Sequence, residues 1–239
     1  MLRLNVDNKD KLDDIIITED TILNIRLDNC SQDINIDVMD NMCLEVFEID
    51  NNTANKINYN LRDNAVVIVN KLARNNSDIT RVNLNGEKAS IKFYSNIMNY
   101  SNNSYDFKVN HNASYTESDI YNHCVNFTES EFKFLIDTGV DKSSIECFCN
   151  QDNKIIDMNG GKNYISPNLL VDNDLINANH SAYIGKFKKD VMFYLMSRGI
   201  NEKSSNLLLI KGFLLEKMNL DEVMTEEYVN FINSNLVGD

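Results

Sequence analysis

The sequence predicts a mainly β fold followed by a helical C-terminal region, and three observations support this prediction. From about residue 15 to about residue 176, apolar and polar residues alternate over short segments, as in strands with one buried face. Asn and Asp fill the breaks between these segments, since the whole chain has only eight glycines and one proline. After Gly185 the apolar period changes to that of a helix.

The alternating segments predict a series of short strands separated by polar turns. Alternation is clear at residues 22–27 and 34–38. It continues in INYNL at 57–61, AVVIV at 65–69, TRVNL at 80–84, ASIKFY at 89–94 and YDFKV at 105–109. Asn and Asp suit the turns because they tolerate a left-handed backbone and hydrogen-bond to their own turns.

Many short strands without helical crossovers are typical of two architectures. One is an antiparallel β-sandwich, and the other is a β-solenoid whose coils turn at Asn-rich corners. No clean repeat period is visible in the residues. The alternation by itself therefore leaves both architectures open.

The C-terminal region predicts three helices. KKDVMFYLMSRG is apolar nearly all round and ends at Gly199, a residue suited to the position after a helix C-terminus. Asn201 is predicted to cap the next helix, and Thr225 the third. One face of the second helix is predicted to carry Leu207, Ile210, Leu214 and Met218. One side of the third is predicted to carry Tyr228, Phe231, Ile232 and Leu236.

Composition and charge argue against several classes of partner. A net charge of −13 argues against nucleic acid and against an anionic membrane surface, because both require a cationic excess. The N-terminus lacks the apolar core of a signal peptide, and no apolar run approaches the roughly 18 residues of a membrane span. Five cysteines fit reduced thiols. We therefore expect a cytoplasmic protein with no nucleic-acid or membrane partner.

Motifs for nucleotide binding and for common hydrolases are absent from the sequence. NGGKN at 159–163 lacks the glycine spacing and the Ser or Thr of a P-loop, so it predicts a turn. There is no Gly-x-Ser-x-Gly elbow and no His-Glu-x-x-His run. We expect no nucleotide site in this chain.

Two cysteines and one histidine are candidate site residues. Cys147 and Cys149 lie two apart in SSIECFCN, so on a strand they share a face. They are either small core residues or soft ligands, since thiolates favour iron and sulfide. His180 stands in a polar run before the first helix and has both a structural and a functional interpretation.

The longest recognisable motif is NANHSAYIGKFKKDVMFYLMSRGINEKSSNLLLIKGF, beginning at residue 177. It resembles the C-terminal signature of the SufB/SufD family, which supplies scaffold subunits for iron–sulfur cluster assembly. Upstream, VNHNASYTES at 109–118 and YISPNLLVDND at 164–174 are similar to further family segments. The positions that carry the resemblance in the main motif are His180, Ala182, Gly185, Phe193, Tyr194, Leu195, Ser197, Arg198, Gly199, Ile200, Gly212 and Phe213.

The resemblance implies a right-handed parallel β-helix with a C-terminal α-helical subdomain, and so favours the solenoid over the sandwich. We expect the β-helix core to span residues 1–186 and the helical subdomain residues 187–239. Family membership implies a non-catalytic scaffold that pairs through its β-helix into a homodimer or a heterodimer. It also implies that the helical end docks a SufC-like ABC-type ATPase, through candidates Phe193, Tyr194, Arg198, Gly199, Gly212 and Phe213.

The resemblance assigns His180 to the assembly site, as an imidazole ligand or proton partner beside a transient iron–sulfur cluster. Cys149 and Cys147 are the further cluster-assembly candidates. Ser181 stands where SufB-type members have Glu, and Gln151 lies near the position of a family cysteine. These departures favour a SufD-like or short ancestral form. The alternatives are a polysaccharide-active β-helix enzyme and a degenerate, purely structural paralogue.

Overall fold

The computed structural model describes residues 1–8, 14–172 and 174–236. Within this part, the chain winds through two β-sheets in which all paired strands are parallel. One sheet has the order β1-β3-β5-β7-β9-β11-β13-β15 and the other β14-β12-β10-β8-β6-β4-β2. Strands consecutive in the chain therefore lie in opposite sheets, which confirms the β-solenoid and excludes the antiparallel sandwich. Residues 9–13, 173 and 237–239, which fall within the two predicted regions, lie outside the described residues.

The predicted strands are all present, and several are longer than the alternation indicates. The strands are β1 (Leu2–Asp7), β2 (Asp14–Ile17), β3 (Thr21–Asp28), β4 (Asp33–Val38), β5 (Cys43–Thr53), β6 (Lys56–Leu61), β7 (Val66–Asn76), β8 (Ile79–Leu84), β9 (Ser90–Asn99), β10 (Asn103–His111), β11 (Glu117–Asn126), β12 (Glu131–Val140), β13 (Phe148–Asp157), β14 (Lys162–Val171) and β15 (Asn177–Gly185). The strand β5 shows why the alternation pattern predicts strands that are too short. Residues 46–50 are all buried, because one face lines the interior and the other lies under helices.

The coil length changes along the chain, which explains why no fixed repeat is visible in the sequence. The side chains of Asn58 and Asn35 stack across 23 residues. Asn110 and Asn83 stack across 27 residues, and Asn122 stacks on the next coil across 31. Because the number of residues per coil changes, the strands still pair in parallel but the sequence has no constant period.

Asparagine forms corners of the early coils, as the composition predicted, whereas Lys88, Tyr115 and Glu146 have the left-handed backbone in later coils. Asn29, Asn52 and Asn75 occupy equivalent corners of successive coils, each with φ near +50°. The Asn52 amide donates to Asn29 Oδ1 at 3.0 Å, and the Asn75 amide donates to Asn52 Oδ1 at 3.1 Å. The ladder satisfies side-chain polar groups while each residue provides the left-handed backbone.

Three helices follow the last strand: α1 (Lys189–Ser197), α2 (Glu202–Leu215) and α3 (Glu222–Leu236). The predicted C-terminal glycine of α1 is confirmed, since Gly199 has φ 86° and its N–H donates to Met196 O at 3.0 Å. The Asn201 cap of α2 is confirmed by the bond from Ser204 N to Asn201 Oδ1 at 2.8 Å.

The predicted cap of α3 at Thr225 is wrong. The helix begins one turn earlier, where Asp221 Oδ1 accepts from Met224 N at 2.7 Å. Thr225 instead lies inside the first turn, and its hydroxyl donates to Asp221 O. Both residues are suited to capping, and the aspartate lies at the point where the chain enters the helix.

Helices α2 and α3 cover the outer face of the odd-numbered sheet. Tyr228 and Ile232 of α3 are buried there, and the Tyr228 hydroxyl donates to Asn70 O at 2.6 Å. The helices and this face of the sheet form a second core, in addition to the core inside the solenoid. It contains Ile49, Leu72, Met98, Val125, Ile156, Ile210, Leu214, Tyr228 and Ile232. The apolar faces predicted for the second and third helices therefore bury against the solenoid.

Candidate functional site

His180 lies on the last described strand, β15, with its side chain on the interior side of the solenoid. It is in register with Gln151, which is buried and donates from Nε2 to Thr138 Oγ1 at 2.7 Å. Residues paired in a parallel sheet share a face, so His180 faces the same way. Ser181 has the opposite orientation, and its hydroxyl donates to Asp152 Oδ1 at 2.7 Å on the outer face.

The interior column that ends at His180 changes from apolar to polar. In register order the column contains Leu23, Val46, Val69, Phe93, Ile120, Gln151 and His180. His180 is exposed because, among the described residues, no strand pairs with the outer edge of β15. The imidazole therefore sits on an ordered strand at the open end of the solenoid, within reach of solvent.

Cys149 and Cys147 lie next to this end, one coil further in. Cys149 is fully buried and is in register with Ala178, two residues before His180 on the same face of β15. Cys147 is 1% exposed and packs in the same small cluster. Burial, with a smaller contribution from Cys147, raises the pKa of Cys149 to about 12, so its thiol is neutral at neutral pH.

His111 joins the two cysteines, and sequence reasoning did not select it. Its Nε2 lies 3.4 Å from Cys149 Sγ and 2.8 Å from Ser118 Oγ, and its Nδ1 lies 2.8 Å from Thr116 Oγ1. Burial lowers the pKa of His111 to about 4, so the imidazole is neutral. The available signal was the spacing of His111, Thr116 and Ser118 within HNASYTES, since a corner between two strands brings them together.

The first group of docking candidates lies on α1, which is apolar yet uncovered. Phe193 is 77% exposed and Tyr194 57% exposed, and no residue of this helix is buried. Arg198 is exposed at the end of the helix, with its guanidinium carbon 5.3 Å from the centroid of the Tyr194 ring. Gly199 then reverses the chain toward α2.

The other two docking candidates lie on α2. Gly212 is exposed, and a Cβ placed there would meet no atom within 4 Å. Phe213 is only half-buried, and its ring stacks on His123 with centroids 4.6 Å apart. His123 Nδ1 also contacts Phe213 O at 3.1 Å, so this pair fastens α2 to β11. His123 is therefore a hydrogen-bonded residue of the sheet.

A buried group of carboxylates lies inside the early coils. Glu48, Asp50 and Asp78 place one oxygen each within 4.8 Å of the others, as a metal site would require. The Lys71 ammonium already lies among them, at 2.5 Å from Glu48, 2.7 Å from Asp50 and 2.5 Å from Asp78. The lysine therefore serves as the cation of this group.

Comparison with known families assigns the chain. The family model described as SUF system FeS cluster assembly, SufBD core domain, matches residues 31–213. This match covers most of the solenoid, all of α1 and most of α2. The chain belongs to the SufBD family. The membership confirms the resemblance predicted from the motif at His180.

Individual relatives share shorter segments with this SufBD chain. A SufBD family protein of Pyrococcus horikoshii is 44% identical over 48 residues, which is 20% of this chain and 11% of the relative. The SufD protein of Bacillus subtilis is 41% identical over 54 residues, which is 23% of this chain and 12% of the relative. The SufB protein of the same organism is 36% identical over 73 residues, which is 30% of this chain and 15% of the relative. The matched segments thus span 11 to 15% of the lengths of these relatives.

The helices of this SufBD chain do not have the character of membrane spans. Among the described residues, none of the helices is both long enough and apolar enough to cross a bilayer.

Proposed function

We propose that this SufBD chain is a non-catalytic scaffold subunit of a SUF-type iron–sulfur cluster assembly complex in the cytoplasm. It dimerises through its β-solenoid with an identical or related subunit and docks a SufC-like ABC-type ATPase through its C-terminal helices. ATP is hydrolysed by that partner, since this chain has no P-loop. Family membership supports the scaffold role over the polysaccharide-active alternative.

The exposed apolar surface of α1 is the observation that carries the proposal. A helix that is hydrophobic all round is normally buried, yet Val191, Phe193, Tyr194 and Met196 are each more than 40% exposed. Exposed aromatic and methionine side chains on a short helix are the composition of a protein interface core. Gly212 and Phe213 belong to the next helix, where Phe213 holds α2 in position for docking.

Substitution of Phe193 and Tyr194 by Ser tests the docking. We expect the double variant to lose binding to the ABC-type ATPase of the same organism by at least about thirtyfold, because buried aromatic anchors dominate interfaces. Isothermal titration calorimetry and co-purification measure the change. Val223→Ser is the matched control, since Val223 is 68% exposed on α3. Equal binding by the double variant and by the control would contradict docking through α1.

His180 is proposed as the imidazole ligand or proton partner of a transient cluster, with Cys149 and Cys147 as thiol candidates in the adjoining coil. The open position of His180 supports this role, because its ring nitrogens can reach a group held at a subunit interface. Cluster and iron are here the cargo of the protein.

Replacement of His180 tests this role. After anaerobic reconstitution with ferrous iron and sulfide, we expect His180→Ala to retain less than about a tenth of the wild-type cluster, as loss of a ligand predicts. Asn179→Ala is the control, since Asn179 is exposed on the same strand and bonds the outer face through Asn150. Absorbance and iron content measure the cluster. Wild-type retention by His180→Ala removes the histidine from the site.

A further inference from the structure

The buried corner around His111 has the features of a metal-binding pair. The Thr116 hydroxyl lies 3.0 Å from Ala113 O, and a carbonyl oxygen can only accept, so Thr116 donates this bond. Its oxygen is then left to accept from His111 Nδ1–H at 2.8 Å. The proton of the neutral imidazole is therefore on Nδ1, and the lone pair is on Nε2.

The lone pair of Nε2 is directed at two donors. Ser118 Oγ lies 2.8 Å away and Cys149 Sγ 3.4 Å away. A hydrogen bond from the other ring nitrogen is the usual way in which a protein sets the tautomer of a metal-ligating histidine. Thr116 Oγ1 accepts that bond here, so the ring is already in the tautomer that a metal ion requires.

The spacing of the two donor atoms suits one metal ion. A tetrahedral zinc-type site has metal–nitrogen bonds of about 2.0–2.1 Å and metal–sulfur bonds of about 2.3 Å, which separate the two donors by about 3.6 Å. The observed 3.4 Å between Nε2 and Sγ is close to this separation. Imidazole and thiolate together select soft or borderline ions such as zinc and ferrous iron.

The position of the corner offers a short route for an ion. Cys149 is on β13, and only the final coil of the described chain lies between it and the open end. Its register partner on that coil is Ala178, a small side chain that is itself half-exposed. Cys147 lies on the other side of Thr116, at 3.3 Å from its hydroxyl, as a further thiol close by.

We propose that His111 Nε2 and Cys149 Sγ together bind one thiophilic divalent cation inside the solenoid. The ion displaces the thiol proton of Cys149 to solvent and forms the metal–sulfur bond, with no change of oxidation state. The Ser118 hydroxyl turns away from Nε2 as the metal–nitrogen bond forms. The identity of this cation as iron rests on the proposed function. Binding of a soft cation by His111 and Cys149 does not depend on it.

Cadmium alone, added to the purified reduced chain, is the probe. We expect one ion to bind with thiolate-to-metal absorbance, and Cys149→Ser to abolish that band. His111→Gln should weaken binding by at least about tenfold, the scale on which metal-site residues act. His123→Gln is the matched control, since His123 is equally buried but contacts Phe213 O instead of Cys149. Equal affinity in the His111 variant, or an intact band in the Cys149 variant, overturns the proposal.

A measurement on the unsubstituted chain covers the case in which a variant fails to fold. With nitrogen-15-labelled histidine, NMR should show His111 Nε2 unprotonated before addition, and coupled to cadmium-113 after it. A proton on Nε2, or a His111 signal unchanged at saturation, overturns the proposal. Because no ATPase, sulfide or partner is present, either result is independent of docking and of cluster assembly.

Discussion

Lys71 is a buried cation inside the early coils. Its ammonium and the three carboxylates around it have no exposed side-chain surface. Burial first, and then Glu48, raise the pKa of Asp50 well above its usual value, while Lys71 opposes the rise. The buried carboxylates therefore depend on the Lys71 ammonium for charge compensation.

Removal of this ammonium should leave buried carboxylates without a cation. We expect Lys71→Met to lower the free energy of unfolding by about 3–5 kcal/mol, the cost of breaking a buried ion pair by removing one partner. Denaturant unfolding followed by circular dichroism measures the change. The control is Lys56→Met, because the Lys56–Asp33 pair is 3.4 Å long and more than half exposed, so we expect a change below about 1 kcal/mol. Similar values for the two variants would contradict a structural role for Lys71.

Single residues also show the limit of motif reasoning. His180 was selected because it lies in the longest, closely spaced motif, whereas His111 lies in the shorter segment VNHNASYTES and was not selected. What distinguishes His111 is its set of contacts, with Ser118 seven residues away and Cys149 thirty-eight away. No local pattern encodes a contact of that separation.

Among the elements, β15 is the edge strand of its sheet that follows the last described coil. In a parallel strand, alternate residues bond to the two sides. Asn177 N donates to Cys147 O at 2.9 Å, which directs residues 179, 181 and 183 toward β13 as well. Ala182 then directs its N–H to the open edge. An unpaired edge of this kind is a template for another chain.

Proline at this position tests dimerisation through the open edge. We expect Ala182→Pro to convert a dimer to a monomer, because proline removes an outward donor while leaving the bonds to β13 intact. Light scattering after size-exclusion chromatography measures the mass, and a melting curve checks the fold. Ala182→Val, which keeps the N–H, is the control. A dimer that persists in the proline variant would place the interface elsewhere.

At the scale of the whole molecule, the three helices differ in how far they pack against the solenoid. Helices α2 and α3 close the outer face of one sheet, so their removal would uncover the apolar side chains of the second core. Helix α1 contributes no buried residue within the described chain. Within the described residues, the edge of β15 and the face of α1 are thus both uncovered.

The sequence by itself determined the local structure of this protein. Alternation predicted the strands, Asn29, Asn52 and Asn75 stand at corners where asparagine was expected, and Asn201 and Gly199 bound their helices as predicted. The motif around His180 also indicated the family. These features depend on neighbours within a few residues, and short-range sterics and hydrogen bonding are legible in a short window.

Only the tertiary structure decided what depends on contacts between coils. The coils contain 23, 27 and 31 residues, so the sequence has no constant repeat from which the parallel register could be predicted. The same stacking brought His111 to Cys149 and left β15 open. Alternation states that a side chain faces inward, but not which residue of the next coil lies beside it, because register is set by packing across the whole solenoid.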